Sequence, residues 1–497
     1  MKMQGKRVGF NIKLAYGLGQ AGEGMFSIGL SFFLLFYYSQ VLGLSPGLAG
    51  SAIGIAVMID AASDIVAGSV SDHWQSRLGR RHPFMYASFL PLSFTFVMLF
   101  FPLVESEMGL FIWLTIFTNA ARTMMSLYHV PHIALAAEIT TNVDDRSALV
   151  AYRQFFSQIG SLVGLIFFFL IFSPLLGEGG RFNENAYKAW ALCIAFLIAV
   201  TIFWSAWGTR AVIPYLPKAE RLETISIIAV CVRLLSDFQE VAKNRNFRFL
   251  FTGILIVYIM VGVTWTLDLY MISYFWELDD TFVLPVVIAF AVGNAIGTFL
   301  SVKLFSVFGK KACLIAGALA YAFFQTFPVA LRLVEWFPEN DNLIVIGSVT
   351  FPLVMISLVL IKLLQGLVTA QAQVAFGSMI ADVCDEHEYL SNRRQEGAFF
   401  AALSFSSKST YGLGAVLAGL SLEFINWPTG PEIRTTTDVA PETIVNLGIL
   451  AGPFIGLLGF LSLWFFAQYR LTPMRHKKIL AIIEARGLSH LNDVKNS

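Results

Sequence analysis

The chain has 497 residues, of which 56% are hydrophobic and only 13% are charged, and its formal net charge is +1. A soluble domain carries about 25% charged residues, so this chain lacks the surface that a water-soluble protein of its length needs. Near-zero net charge argues against a nucleic-acid-binding protein, and 46 Phe residues exclude a disordered chain. The four cysteines lie far apart, without the spacing of a zinc site or a disulfide framework. The composition predicts a polytopic membrane protein.

Twelve apolar stretches are long enough to cross a hydrocarbon core of about 30 Å, which takes about 20 helical residues. They run solidly apolar rather than alternating as barrel strands do, so we predict helices. The predicted spans cover residues 14–38, 48–70, 83–103, 110–137, 149–172, 188–208, 249–275, 282–304, 312–333, 344–380, 398–420 and 444–468.

The loop charges predict the orientation of these spans. Most of the 34 Lys and Arg residues lie in loops of one parity, together with both chain ends. The positive-inside rule places those loops and both termini in the cytoplasm. The longest of these loops, 209–248, separates six spans from six, and its short apolar pattern of helical period predicts an amphipathic helix at the membrane interface. We therefore predict an N-terminal six-helix bundle (1–208), this linker, a C-terminal six-helix bundle (249–468) and a cytoplasmic tail (469–497).

A weak internal repeat relates the two halves. Gly79-Arg80-Arg81 follows the second span and Gly309-Lys310-Lys311 follows the eighth, while Glu138 and Asp382 end the fourth and tenth. Two similar six-helix halves with a site near the bilayer midplane are typical of secondary transporters. We therefore predict an all-α membrane protein with twelve transmembrane helices in two pseudo-symmetric six-helix bundles.

An ionisable side chain in mid-bilayer costs about 3 kcal/mol or more, so each one marks a candidate functional site. Asp60 and Asp64 lie four residues apart in the second span, which places both carboxylates on one helix face. Adjacent carboxylates repel each other in a poor dielectric, and a bound Na⁺ or a proton relieves that repulsion. We predict a cation site here, with Lys408 in the eleventh span as a competing counter-charge. Structural ion pairs are the alternative.

The fourth span carries a polar stripe at helical spacing, formed by Arg122, Ser126, His129 and His132. A stripe this polar faces a cavity or another helix rather than lipid. Arg122 is suited to binding a substrate hydroxyl or carboxylate through its planar guanidinium. His129 is suited to hydrogen bonding or to carrying a proton near the cation site. Packing is an equally open role for each histidine.

Two other spans carry acids that we include among the candidate substrate residues. Glu23 lies in the glycine-rich first span, where small residues allow close helix approach or a local break beside a cavity. Asp268 lies in the seventh span near Trp265 and Tyr270. Aromatic rings near a polar group suit sugar stacking, although Trp and Tyr also mark membrane interfaces.

The basic residues in the predicted cytoplasmic loops are explained most simply by the positive-inside rule. Together with acidic residues they also form a candidate cytoplasmic gate, in which ion pairs would hold the two halves together. The gate candidates are Asp72, Arg77, Arg80, Arg81, Asp145, Arg146, Asp382 and Arg394.

Several of these motifs together resemble the glycoside–pentoside–hexuronide:cation symporters of the major facilitator superfamily. The matches extend from the first span to the eleventh and keep their order along the chain. They are Ile59-Asp60-Ala61-Ala62-Ser63-Asp64, the stretch from Ser76 to Pro83, Tyr128-His129-Val130-Pro131-His132-Ile133-Ala134-Leu135, the stretch from Asp145 to Arg153, Ser378-Met379-Ile380-Ala381-Asp382, and Arg394-Gln395-Glu396-Gly397.

The resemblance implies Na⁺ or H⁺ symport by alternating access. Asp60 and Asp64 match the family's paired cation-site acids, which would be the Na⁺ ligands in a Na⁺-coupled member, and Lys408 matches its eleventh-span lysine. The family's substrate arginine in the fifth span corresponds to Arg153 or, in strict register, to Gln154.

The chain departs from the melibiose permease branch at two sugar-binding positions. Gly24 and His129 stand where that branch has aspartates, and Glu23 is one residue away. With His129 near the cation site, H⁺ coupling stays open beside Na⁺ coupling.

We therefore predict a symporter that imports a sugar or glycoside with Na⁺ or H⁺ and uses no cofactor beyond the coupling ion. A lysolipid or other amphiphile as cargo, or a non-transporting membrane sensor on the same fold, are the alternatives. The chain has no Walker A or HExxH motif, which argues against a direct ATP-driven pump and against an enzyme. We expect a monomer in a bacterial inner membrane, with a small-molecule substrate and the lipid bilayer as its partners and no nucleic acid.

Overall fold

The structure, a computed structural model, describes residues 7–140, 142–176, 179–216, 236, 238–346, 348–391, 399 and 412–496. Two predicted site residues, Lys408 and Arg394, lie outside the described residues. So does most of the apolar pattern that predicts the amphipathic linker helix.

Eleven helices in the described residues are long and apolar enough to cross a membrane, and a shorter apolar helix falls within the eleventh predicted span. The first six are α1 (Phe10–Val41), α2 (Pro46–His73), α3 (His82–Phe100), α4 (Glu107–Ile139), α5 (Asp144–Leu175) and α6 (Glu184–Thr209). The next six are α7 (Arg245–Phe275), α8 (Asp280–Phe308), α9 (Lys310–Leu333), α10 (Leu353–Ser391), α11 (Gly412–Phe424) and α12 (Pro441–Ala467). Each of these helices overlaps one of the twelve predicted spans, which confirms the predicted order of the spans.

The beginnings of several helices follow from capping residues in the sequence. Ser45 accepts a hydrogen bond from the Leu48 amide, and Pro46 occupies the first turn of α2. Ser106 caps α4 through the Gly109 amide, and Asn142 accepts from two amides at the start of α5. These side chains satisfy backbone N–H groups that the helix itself leaves without partners.

The predicted start of the tenth span at residue 344 is wrong. Strands β1 (Leu343–Ile346) and β2 (Val349–Pro352) pair there as an antiparallel hairpin, and α10 begins only at Leu353. Two β-branched runs flank Gly347-Ser348, which is a hairpin signal. A continuous apolar run does not by itself distinguish a strand from a helix. The predicted span therefore included most of the hairpin.

The predicted tail contains a further helix, α13 (Pro473–Asn496), whose first residues contact the end of α10. His476 Nε2 lies 2.9 Å from Asp385 Oδ2, and Arg475 Nη2 lies 3.3 Å from Glu386 Oε1. A hydrogen bond of His476 and an ion pair of Arg475 thus attach the start of α13 to acids at the end of α10.

The chain forms two compact units. The first contains the described residues of Met1–Ile227, Trp265–Leu284 and Tyr411–Leu447, so it unites α1–α6 with the end of α7, the start of α8 and α11. In it α1 packs on α5 and α6, α2 on α4, and α3 on α4 and α6. The second unit contains Ile228–Thr264, Pro285–Thr410 and Gly448–Ser497, and in it α9 packs on α10 and α12.

The internal repeat is confirmed by matched ion pairs, one within each unit. Arg80 Nη2 lies 2.7 Å from Glu138 Oε1, and Lys310 Nζ lies 2.7 Å from Asp382 Oδ2. The glycine before each basic pair has a left-handed backbone, with φ of 78° at Gly79 and 81° at Gly309. This conformation favours glycine.

Small residues let α11 approach α2 closely inside the first unit. A Cβ on Gly50 would lie 2.6 Å from the Ala415 carbonyl oxygen, and one on Gly419 would lie 2.2 Å from the Pro46 carbonyl oxygen. Neither position has room for a larger side chain, so the contact depends on both glycines.

A buried ion pair attaches the start of α8 to the loop after α5 in the same unit. Arg181 is 5% exposed and pairs with Asp280 through its guanidinium. The Arg181 amide also donates to Asp280 at 2.9 Å, and its guanidinium donates to Ser273 at 3.0 Å. Ser173 donates to the same carboxylate. Residues about a hundred positions apart are thereby joined.

We expect Arg181→Ala to destabilise the protein by about 3 kcal/mol, because it leaves the largely buried Asp280 carboxylate without its counter-charge. Thermal unfolding in detergent measures the change. Lys188→Ala is the matched control, since Lys188 forms a more exposed pair with Glu184 four residues away, and such pairs contribute less than about 0.5 kcal/mol. Equal melting temperatures for the two variants would contradict the assignment.

Candidate functional site

The Asp60 carboxylate lies at the contact between α2 and α4 and is only 7% exposed. Ser126 donates a hydrogen bond to Asp60 Oδ1 at 2.8 Å, and Arg122 Nη1 lies 3.7 Å from Asp60 Oδ2. Ser63 Oγ lies 3.2 Å from Ser126 Oγ. Arg122 and Ser126 are one helical turn apart, so the polar stripe of α4 presents both to α2. We call these four residues the Asp60 cluster.

Asp64 lies one turn beyond Asp60 on α2 and is half-buried. The four-residue spacing keeps the two acids on one face of the helix. The structure therefore brings the predicted cation-site acids to the side of α2 that meets α4.

The Glu23 carboxylate is held between α1 and α5 by three neutral donors. Ser27 donates to Oε1 at 2.7 Å, while Ser157 and Gln20 donate to Oε2 at 2.9 and 2.8 Å. We call these four residues the Glu23 cluster. Both carboxylate oxygens act as acceptors, which is how an ionised carboxylate bonds.

His129 lies between the two clusters. Its Nδ1 is 3.5 Å from Gln20 Nε2 of the Glu23 cluster. The charges that act on its ring come from Glu23, Arg153 and Asp60. Arg153 is half-buried and its charge acts on the Tyr16 side chain of α1, whereas Gln154 is exposed. Of the two possible substrate residues of α5, Arg153 is therefore the one near His129.

His132, unlike His129, packs against aromatic side chains. Its ring stacks on Tyr16 with centroids 4.3 Å apart, and its Nε2 lies 2.9 Å from the Tyr16 carbonyl oxygen. Tyr128 stacks on it at 5.1 Å. The packing role that the sequence left open accounts for this histidine.

Comparison with known proteins gives the family of this chain. The family model described as MFS/sugar transport protein matches residues 15–473. The chain belongs to this family.

Relatives of this MFS/sugar transport protein are similar over nearly their whole length. The glucuronide carrier protein homolog of Escherichia coli is 26% identical over 487 residues, covering 95% of each chain. A putative glycoside/cation symporter of the same organism is 23% identical over 477 residues, covering 94% of this chain and 93% of its own. The crystal structure of a nucleoside transporter, solved as a point mutant, superposes with a TM-score of 0.61 at 13% identity, covering 93% of this chain and 99% of its own.

These findings confirm the major facilitator fold and the resemblance to the glycoside–pentoside–hexuronide:cation symporters. The chain is a membrane symporter that takes a small-molecule substrate, and the family and its structural neighbours are transporters rather than enzymes.

The symporter has no room for an acid at Gly24, where the melibiose permease branch carries one. A Cβ on Gly24 would lie 2.0 Å from the Ser157 carbonyl oxygen. The first-span acid of this chain stands one position earlier, at Glu23, and bonds the Ser157 hydroxyl. The close approach of α1 and α5 thus explains why the acid differs in position.

The other predicted substrate residues lie on α7. Trp265 packs edge-on against Phe32 of α1, with ring centroids 6.4 Å apart. Asp268 follows it by one helical turn and is half-buried. The end of α7 therefore contributes its candidates to the unit that holds Glu23 and Asp60.

Five of the gate candidates that the structure describes form ion pairs with residues of their own unit. Arg81 bonds Asp72, Ser71 and Glu138, the last at 2.9 Å. Asp145 accepts from Lys13 at 2.7 Å and from the Val8 amide at 2.9 Å. Asp382 pairs with Lys310, while Arg77 and Arg146 are exposed. A role in gating stays a prediction for all of them.

Sequence reasoning missed several partners that the site uses. Ser27, Ser157 and Ser63 were not singled out, although Ser27 lies four residues after Glu23 and Ser63 lies next to Asp64. That spacing was an available signal for Ser27. Ser157 had none, because its bond to Glu23 joins positions 134 residues apart.

We expect Gly24→Ala to destabilise the symporter by about 2 kcal/mol or more, because the added methyl group would push α5 away from α1. Thermal unfolding in detergent tests this. Gly377→Ala is the matched control, since a Cβ on Gly377 of α10 meets nothing within 4 Å and alanine favours a helix. Equal stability of Gly24→Ala and wild type would refute the account of this contact.

Proposed function

We propose that this symporter imports a sugar or glycoside together with a cation by alternating access. The observation that supports this proposal most directly is the pair of polar clusters within the first unit, with His129 between them. One cluster centres on Asp60 with Asp64 beside it, and this is the coupling site. The other centres on Glu23 and, with Arg153 and the α7 residues Trp265 and Asp268, forms the substrate path. Arg122, predicted from the sequence as a substrate residue, pairs with Asp60 instead.

A sugar fits the chemistry of the Glu23 cluster. The Glu23 carboxylate accepts hydrogen bonds from one amide and two hydroxyls, and the His129 imidazole lies 3.5 Å from that amide. A sugar presents several hydroxyl groups, each a donor and an acceptor, and such a mixed set can satisfy them. The names of two relatives, a glucuronide carrier homolog and a putative glycoside/cation symporter, support the same substrate class.

Coupling follows from the cost of buried charge. Acids at the α2–α4 contact favour a state in which a cation neutralises them before the unit rearranges. If the cation and the sugar jointly stabilise the closed state, each tightens binding of the other, as linkage requires. In this proposal Lys408 responds to occupancy of the acids.

The remaining features of the proposal concern placement. Two six-helix bundles (1–208 and 249–468) with a cytoplasmic linker and tail would sit in a bacterial inner membrane with both termini in the cytoplasm. The loop charges support this orientation. The protein acts as a monomer with the bilayer and a small molecule as partners, and no cofactor is involved beyond the coupling ion.

Uptake of a labelled glycoside panel into proteoliposomes, with imposed Na⁺ or H⁺ gradients, tests the function. Wild type should accumulate at least one glycoside under a gradient, and Asp64→Asn should lose accumulation. Asp438→Asn, at an exposed carboxylate outside the membrane spans, is the control and should transport normally.

Two results would count against the proposal. Full gradient-driven accumulation by Asp64→Asn would remove the α2 acids from coupling. No accumulation of any glycoside under either gradient would turn the substrate assignment towards an amphiphile, and lysolipids would be tested next.

Glu23→Gln should weaken substrate binding about 10- to 100-fold, because a hydrogen bond to a charged group contributes about 1.5–3 kcal/mol. The half-saturating substrate concentration in counterflow measures this without an ion gradient. Glu442→Gln, an exposed glutamate at the start of α12, should leave it unchanged. An unchanged value in Glu23→Gln would exclude the Glu23 cluster as the substrate site.

A further inference from the structure

The candidate cation site contains a positive charge of its own. The Arg122 guanidinium lies 3.7 Å from Asp60 Oδ2, and the two side chains are only 13% and 10% exposed. The other Asp60 oxygen already accepts the Ser126 hydroxyl at 2.8 Å. Both oxygens of this carboxylate therefore face a group that stabilises its negative charge.

The oxygen donors suit an alkali cation, but the arginine does not. Asp60, Ser63 and Ser126 offer the oxygen ligands that hard cations prefer. A Na⁺ bound to Asp60 Oδ2 would, however, lie within a few ångströms of the guanidinium. Two like charges about 4 Å apart at an effective dielectric constant of about 20 weaken binding on the order of a thousand-fold.

The guanidinium stays charged under all physiological conditions, since arginine does not deprotonate in proteins. Its planar donor groups also match a carboxylate better than a lysine ammonium would. Moving it away would leave two charges separated in a buried position, which costs several kcal/mol. The exclusion is therefore a fixed property of the α2–α4 contact.

We propose that Arg122 excludes Na⁺ from the Asp60 cluster, so that transport by this protein is independent of Na⁺. The inference deepens the proposed function and rests on its assignment of the α2 acids to coupling. It makes Arg122 the residue that determines which cation the site accepts.

Equilibrium binding of radioactive Na⁺ to the purified full chain in detergent tests the proposal, with choline as the replacement cation. Wild type should show no saturable Na⁺ binding. Arg122→Gln, which removes the charge and keeps a polar side chain, should gain binding tighter by about a thousand-fold. Arg122→Lys keeps the charge and should behave as wild type. The double variant Arg122→Gln with Asp60→Asn should lose the gained binding.

Arg210→Gln is the matched control, because this exposed arginine stacks on Trp207 away from the site. It should bind no Na⁺. Saturable Na⁺ binding by wild type that disappears in Asp60→Asn would overturn the proposal, and this result does not depend on the folding of any Arg122 variant. A folded Arg122→Gln protein that binds no Na⁺ would overturn it as well.

The same binding measurement separates this inference from the proposed function. Na⁺ binding is read without substrate or transport. If no glycoside accumulates under any gradient while Arg122→Gln still gains Na⁺ binding, the function fails and the role of Arg122 stands. If glycoside uptake is driven by a Na⁺ gradient and wild type binds Na⁺ saturably, the function stands and the inference fails.

Discussion

The structure depends on one constraint, which is that a charge inside a membrane protein must be paired or hydrogen-bonded where it lies. Asp60 satisfies it with Ser126 and Arg122, and Glu23 satisfies it with three neutral donors. The two acids are thus stabilised differently. Asp60 faces a permanent positive charge, whereas the bonds around Glu23 come from groups that can exchange with the hydroxyls of a ligand. This difference is why we assign coupling to one cluster and substrate to the other.

Close helix packing makes these pairings possible. α1 and α5 meet through glycines, since a Cβ on Gly160 would lie 2.0 Å from the Ala21 carbonyl oxygen. Glu23 and Ser157 can bond only because the two backbones lie so near each other. The same principle attaches α11 to α2 in the first unit, and there the buried pair of Arg181 and Asp280 adds a second attachment. Small residues and paired charges therefore act together.

Much of this arrangement could be predicted from the sequence because helices impose a strict geometry. The order of the spans follows from apolar length, and the four-residue spacings of Asp60 with Asp64 and of Arg122 with Ser126 predict shared faces. The hairpin at 343–352 could not be separated from the tenth span, because short apolar runs are ambiguous. The pairs of Glu23 with Ser157 and of Arg181 with Asp280 join positions 134 and 99 residues apart, and no local pattern encodes such contacts. Which of Arg153 and Gln154 faces the site depends on how α5 is rotated about its axis, and the sequence does not give that rotation.

The central claim is that Asp60 and Arg122 stabilise each other as a buried pair, and a double-mutant cycle tests it most directly. The free energy of unfolding would be measured in detergent for wild type, Asp60→Asn, Arg122→Gln and the double variant. Each single change should destabilise by about 3 kcal/mol, because it removes one charge of a buried pair, and the double variant should recover most of that loss. Simple additivity of the two single effects would show that the charges do not interact, and it would contradict the account.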